Sequence, residues 1–318
     1  MNTDNRYSRD WDEYSHLWDT QFRSQYEYLG DEWNGDFGDE WDDFLANDLA
    51  ADCIPWKRDD LYFALYADRW LRPDRTVLEV GPGGGKWTVR IAPKVKRLVV
   101  LDTSEEMLNR TRRRCEALGL ENVEFITGNG KDFQPVADES IDFFFSYDVF
   151  VHIALEDTWP YTQEMARVLK AGGMGACHHA INTTHQGWDR IERHNDWYRF
   201  GAHTLGQYYY FSPLALQRMY ERCGLYILEQ HQDSAHCTCI FGKPKRSVVP
   251  RLEMLLKQLI DERADDAQVY AATVAELQTL PRELERMLKE ILESAQQAKD
   301  RHQRTYYAAK IRRLWRGI

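Results

Sequence analysis

Between about residues 59 and 244, short apolar runs alternate with longer stretches in which apolar positions return every third or fourth residue. The runs at 76–80, 97–101, 123–127, 141–146 and 173–179 read as strands, and the stretches at 103–118, 157–169 and 213–223 read as helices. The first of these helices opens with Thr103 and Glu106 in capping-box spacing and stops at Gly119. Strands alternating with helices at this spacing predict an α/β fold: a doubly wound, mostly parallel, seven-stranded sheet covered on both faces. Residues 226–232 and 237–241 are close enough in sequence to close that sheet as an antiparallel hairpin.

The pattern differs on either side. In residues 1–58, Trp11, Tyr14, Trp18, Phe22 and Tyr26 recur at helical spacing, predicting an amphipathic helix over about 9–29, followed by a glycine-containing loop and a second short helix. This zone is an aromatic-rich cap, either docked on the core or sharing in a substrate pocket. From Pro250, Leu256, Ile260, Ala267, Tyr270, Val274, Leu277, Leu284, Leu288 and Ile291 follow heptad steps, with Pro281 as kink or restart. A long helix or helical hairpin over 250–318 would pack back on the domain or pair with a second chain, and homo-oligomerisation is the favoured expectation.

Composition narrows the classes. The net charge is −10, 29% of the residues are charged, and no apolar run reaches the length of a spanning helix. The N-terminal sequence has no signal-peptide pattern, and six cysteines without a CxxC pair suit a reducing cytoplasm. The first sixty residues hold five basic and seventeen acidic side chains, which argues against nucleic acid as a partner of that face. Cys237 and Cys239 share one face of a strand and read as structural. No histidine or cysteine spacing matches a metal site.

The densest chemical signal is VLEVGPGGGKW, residues 77–87. A strand ending near Glu79 runs into Gly81, Gly83 and Gly85, whose missing side chains let a ligand approach the backbone at the carboxyl edge of the sheet. Asp102 closes the second strand, where an acid can accept hydrogen bonds from both hydroxyls of a ribose. The turn lacks the G-x-G-x-x-G spacing of a pyrophosphate site, and suits an adenosine without phosphates.

With these residues the segment 59–244 resembles the class I S-adenosylmethionine-dependent methyltransferases. The resemblance implies that Glu79, Gly81, Gly83 and Gly85 hold the methionine portion of S-adenosylmethionine, that Asp102 holds the ribose, and that Met107 packs on the adenine. Gly128-Asn129-Gly130 stands where the family has G-D-A, so Asn129 and Gly130 fall at the adenine edge. FFFSYDVFVHI, with Ser146, resembles the fourth strand and the loop where donor and acceptor meet. MARVLKAGG resembles the family's R-V-L-K-P-G-G turn, with Ala171 in place of proline.

Fold does not fix the acceptor. Asp148, His152, His178 and His179 are the candidates for acceptor chemistry, because a hydroxyl needs a base and histidine titrates near neutrality. Strand alternation sends His178 and His179 to opposite faces, so one of them at most reaches the pocket. The long segment 180–211, rich in Trp, Tyr, Phe, His and Arg, reads as a lid or acceptor surface. Aromatic faces with polar rims suit a sugar, so O-methylation of a small-molecule or glycan acceptor, with a place in polysaccharide biosynthesis, is the expectation. The alternatives are N-methylation of a small amine drawn by the acidic cap, and a non-catalytic cofactor-binding scaffold. Finally, residues 305–318 place Tyr307, Ile311, Leu314 and Ile318 on one helical face and Arg312, Arg313 and Arg316 opposite, with Trp315 at the border. That is the composition of a helix lying on an anionic membrane surface, or of a helix end packed on a partner.

Overall fold

The computed structural model describes residues 6–18, 20, 58–200, 206–244 and four positions between 289 and 294, with backbone alone for 58–60 and 193–200. The 31–43 loop, the second N-terminal helix, nearly all of the 250–318 heptads and the 305–318 helix lie outside the described residues. Among the described residues no helix is long and apolar enough to cross a membrane.

In chain order the elements are α1 (Arg6–Leu17), α2 (Arg58–Tyr66), β1 (Thr76–Val80), α3 (Thr88–Ile91), β2 (Arg97–Asp102), α4 (Glu105–Ala117), β3 (Val123–Thr127) and β4 (Ile141–Ser146). There follow α5 (Leu155–Val168), β5 (Leu169–Ile181), α6 (His185–Phe200), β6 (Tyr210–Phe211), α7 (Pro213–Arg222), β7 (Tyr226–Asp233) and β8 (His236–Gly242). The main sheet runs β3-β2-β1-β4-β5-β8-β7, with β1 to β5 parallel and the β7–β8 hairpin antiparallel. The sheet has one strand more than the expected seven. Residues 180–211 contain the helix α6, and they end in a two-residue eighth strand, β6, that pairs with the end of β5.

Period-two alternation builds a core on each side of the sheet. On one face Val77, Phe143, Phe145, Met174, Ala176 and Ile240 pack with Tyr62, Tyr66, Trp87 and Ile91. On the other, Leu78, Phe144, Cys177, Cys237, Cys239 and Phe241 meet Met165, Leu216, Met219 and Tyr220. The same alternation carries through β5, which decides the fate of its two histidines.

Helix α4 starts one residue later than the capping-box spacing predicted. Ser104, not Thr103, is its N-cap: the backbone is extended there, and the Ser104 Oγ accepts a hydrogen bond from the Met107 N–H. The Ser104 hydroxyl also donates to Asp12 of α1 at 2.6 Å. That second bond, from outside the local segment, is why Ser104 is favoured over its neighbour. α1 is fastened on this side by Ser8 Oγ donating to the Thr103 carbonyl and by Arg110 donating to Ser15. It is fastened at its other flank by the Tyr7 hydroxyl donating to Asp157 at the start of α5. α1 therefore bridges from the end of β2 to the loop after β4.

Candidate active site

The carboxyl ends of β1, β2 and β4 converge on the glycine turn. Gly81 continues the sheet by donating its N–H to the Leu101 carbonyl at 2.8 Å, then turns through φ +73°. A Cβ there would stand 2.2 Å from Val149 Cγ2, so the turn and the loop after β4 touch at a point where only glycine fits. Thr111 of α4 donates to the Gly83 carbonyl and Arg114 to the Gly84 carbonyl, pinning the turn from outside.

Two carboxylates sit beneath this turn. Glu79 is buried; its Oε2 accepts from the Thr88 hydroxyl at 2.7 Å, and its Oε1 has no protein donor among the described residues. Burial raises its pKa to about 8, opposed by Thr88 and reinforced by Asp102. Asp102, also buried, accepts from the Ser104 N–H at 2.9 Å. Burial raises it to about 7, against the Ser104 and Thr103 N–H groups and with a further push from Asp12. Two buried carboxyl groups, one of them with an oxygen that has no protein donor among the described residues, suit a ligand that brings positive charge and hydrogen-bond donors. An amino-acid ammonium and a ribose diol supply these.

Four other residues are expected at this edge. The Asn129 side chain builds its own loop: Oδ1 accepts from the Lys131 and Asp132 N–H groups while Nδ2 donates to Asp132, so its amide serves the turn. The Ser146 hydroxyl is buried and donates to the Val80 carbonyl, tying β4 to β1. Met107 is 2% exposed in the first turn of α4. Gly130 is buried with φ +71°.

Beyond the turn, the loop after β4 presents Tyr147 and Asp148. Asp148 adopts φ +59°, an uncommon conformation for a residue with a side chain, and its Oδ1 lies 2.8 Å from His178 Nδ1 on β5. Since a carboxylate only accepts, Nδ1 carries the hydrogen and Nε2 keeps the lone pair. The Asp148 N–H approaches the same nitrogen at 3.3 Å, and the shorter contact decides the tautomer. Tyr147 stacks on the His178 ring at 4.2 Å and 6°. The Asp148 side chain keeps 54% of its surface exposed, so the desolvation that would raise its pKa is outweighed by His178, His236 and His152, which hold it well below the usual carboxylate range.

His152 Nδ1 is 3.0 Å from the Gln207 carbonyl and so donates to it; burial lowers the pKa of its ring. Trp11 of α1 and Tyr208 flank that ring at 5.1 and 4.8 Å. Arg190 of α6 covers the Tyr208 ring and reaches His236, whose ring is 4.7 Å from His178. Asp148, His152 and His178 are thus gathered at one place.

His179 is not among them. It points to the opposite core, fully buried between Phe150 and Phe211, with Nε2 3.0 Å from the Tyr220 hydroxyl. Burial holds its pKa down at about 3, so the ring stays neutral and structural. The expectation of a catalytic role for His179 is corrected by the parity of β5.

Residues 77–173, from β1 into β5, match a family model described as a methyltransferase domain. The match encloses the glycine turn, Glu79, Asp102 and the Asp148 loop. The chain carries a class I S-adenosylmethionine-dependent methyltransferase domain. The demethylmenaquinone methyltransferase of Listeria welshimeri is 31% identical to it over 139 residues, 42% of this chain and 56% of that protein. The enzyme of the same name from Bacillus cereus is 33% identical over 113 residues, 34% of this chain and 45% of the other. The chain spans about half the length of the curated relatives it matches. Among solved structures, a chain from the complex of the Haloferax volcanii Trm112 methyltransferase activator with a methyltransferase superposes with a TM-score of 0.51 at 17% identity. That superposition covers 73% of this chain and 98% of that one, a likeness of fold.

The methyltransferase domain also brings in residues that sequence reading did not assign to the site: Trp11, Arg190, Tyr208 and His236. Trp11 belonged to the N-terminal aromatic stripe, and Arg190 and Tyr208 to the aromatic segment, without any signal singling them out. His236 was within reach of inference. In the β5–β8 register it stands opposite Ala180, two residues beyond His178, on the face away from Cys237.

Proposed function

We propose that this chain transfers a methyl group from S-adenosylmethionine to a hydroxyl oxygen of a small-molecule acceptor, with His178 as base and Asp148 as the group that orients it. The observation that carries the reading is the 2.8 Å Asp148–His178 pair on the loop that touches Gly81. Glu79 would receive the ammonium of the donor on its Oε1, Asp102 the ribose hydroxyls, and Gly81, Gly83 and Gly85 would leave room for the methionine chain. When bound, S-adenosylmethionine supplies an activated methyl carbon whose bond to sulfur breaks as the acceptor oxygen bonds to it, leaving a neutral thioether. His178 Nε2 takes the hydroxyl proton, and the Asp148 carboxylate stabilises the imidazolium that results. Tyr147, stacked on the ring, and His236 beside it keep the imidazole from rotating away.

The aromatic side chains around His152 and His178, Trp11 among them, suit an acceptor with an apolar ring face: a sugar ring, or the demethylmenaquinone named for the relatives. α1 supports enclosure of the site, since it spans from Ser104 to Asp157 with Trp11 against His152. The test is methyl transfer from labelled S-adenosylmethionine to panels of hydroxyl and amine acceptors, with wild type and His178→Ala. Transfer to hydroxyls that is lost in His178→Ala supports the reading. Transfer to amines that survives the substitution contradicts it.

A further inference from the structure

Arg190 is a half-buried cation beside this histidine cluster, with no carboxylate partner among the described residues. Its guanidinium carbon lies 4.4 Å from the Tyr208 ring centroid, and Nη1 is 2.7 Å from His236 Nε2, which must therefore accept. The carboxylate of the pocket, Asp148, is engaged with His178 instead.

The fold sets this position locally. α6 begins hard against the end of β5: a Cβ on Gly187 would come within 2.3 Å of the Ile181 carbonyl, so the close approach requires glycine. The Gly187 N–H donates to Thr184 Oγ1 at 3.0 Å, which fixes the first turn. Arg190 follows Gly187 by three residues and so shares its face of the helix. Stacking on Tyr208 then holds the guanidinium plane. A guanidinium has five N–H donors in a planar fork that matches a carboxylate, and the contact with His236 uses one of them.

We propose that Arg190 receives a carboxylate of the acceptor, so that the molecule methylated is a hydroxy acid. The inference rests on the reading of His178 as the base. One imidazole, His236, separates His178 from Arg190, so hydroxyl and carboxylate belong on the same small ring or short chain. A sugar acid and a hydroxybenzoate both carry that pair.

Binding is measured by calorimetry on the full chain saturated with S-adenosylhomocysteine. The probes are glucuronate against glucose, and the three hydroxybenzoates against their amides, with wild type, Arg190→Gln and Arg190→Lys. The expected result is that one acid series binds wild type about tenfold or more tightly than its neutral partner, as for a charged hydrogen-bonded pair. The preference should disappear in Arg190→Gln and persist weakened in Arg190→Lys, with unchanged affinity for S-adenosylhomocysteine. Which series responds distinguishes the sugar acid from the aromatic acid. Equal binding of acid and neutral partner, binding of neither, or a preference that survives Arg190→Gln overturns the proposal. Failure of S-adenosylhomocysteine to bind overturns the underlying reading as well, whereas its binding with no acid preference removes the role of Arg190 alone.

Discussion

His178 and Asp148 meet at 2.8 Å through a left-handed backbone turn at Asp148, φ +59°, that folds the carboxylate back towards β5. The conformation costs on the order of 1 kcal/mol or more for a residue with a Cβ. It is retained where the pair would face the acceptor. His178→Ala should lower kcat by about 10²–10⁴-fold, the usual contribution of a general base, with the affinity for S-adenosylhomocysteine preserved. Asp148→Asn should lower kcat as well, because the imidazolium formed during turnover loses its counter-charge. Steady-state kinetics over pH check both.

His179 provides the contrast one residue along. His179→Ala removes a buried ring from the core around Tyr220 and should destabilise the fold by about 2 kcal/mol, a loss of roughly 4–8 °C in melting temperature. Turnover per folded molecule should not change. A loss of turnover comparable to that of His178→Ala would place His179 in the chemistry after all.

Gly81 and Gly119 both have positive φ, but their surroundings differ. Gly119→Ala meets nothing within 4 Å and should cost about 1 kcal/mol, the backbone term alone. Gly81→Ala adds overlap with Val149 and should cost about 2–4 kcal/mol while displacing the Asp148 loop. Denaturant unfolding measures the difference, and S-adenosylhomocysteine affinity should fall only for Gly81→Ala.

The raised carboxyl groups give a pH dependence of defined sign. In the unfolded chain Glu79 and Asp102 titrate near about 4, whereas in the fold they titrate near about 8 and 7. The folded state holds protons that the unfolded state has lost, so these two groups make stability fall as pH rises from about 4 to 8. A ligand that bonds to the ionised carboxylates should flatten that slope and release protons on binding near pH 6.5. Thermal melts with and without S-adenosylhomocysteine, and calorimetry in buffers of different ionisation enthalpy, read the two effects. Stability that is flat over this range without ligand contradicts the assignment.

Much of the architecture was legible in the chain because it depends on local rules. The short apolar run of IDFFFS, the glycines of the turn and the spacing to Asp102 follow from burial on both faces of the sheet, φ and reach along one chain segment. So does the opposition of His178 and His179. What was not legible depends on contacts between distant segments. Ser104 became the N-cap because Asp12 arrives from α1, ninety-two positions away. The Asn129 side chain turns to its own loop because Asp132 engages its amide. Arg190 came into the pocket because Gly187 lets α6 close on β5. No periodicity announces such a meeting, so the sequence marks 180–211 as a lid or acceptor surface without singling out Arg190.

The central claim is that this chain holds S-adenosylmethionine at the turn between Glu79 and Asp102. Calorimetric titration of S-adenosylhomocysteine into wild type and Asp102→Ala, each first shown to be folded, tests it most directly. The account expects saturable one-to-one binding to wild type and an affinity about 10–100-fold lower in Asp102→Ala, the loss of hydrogen bonds to a charged acceptor. No binding to wild type, or equal affinity in the two proteins, would contradict it.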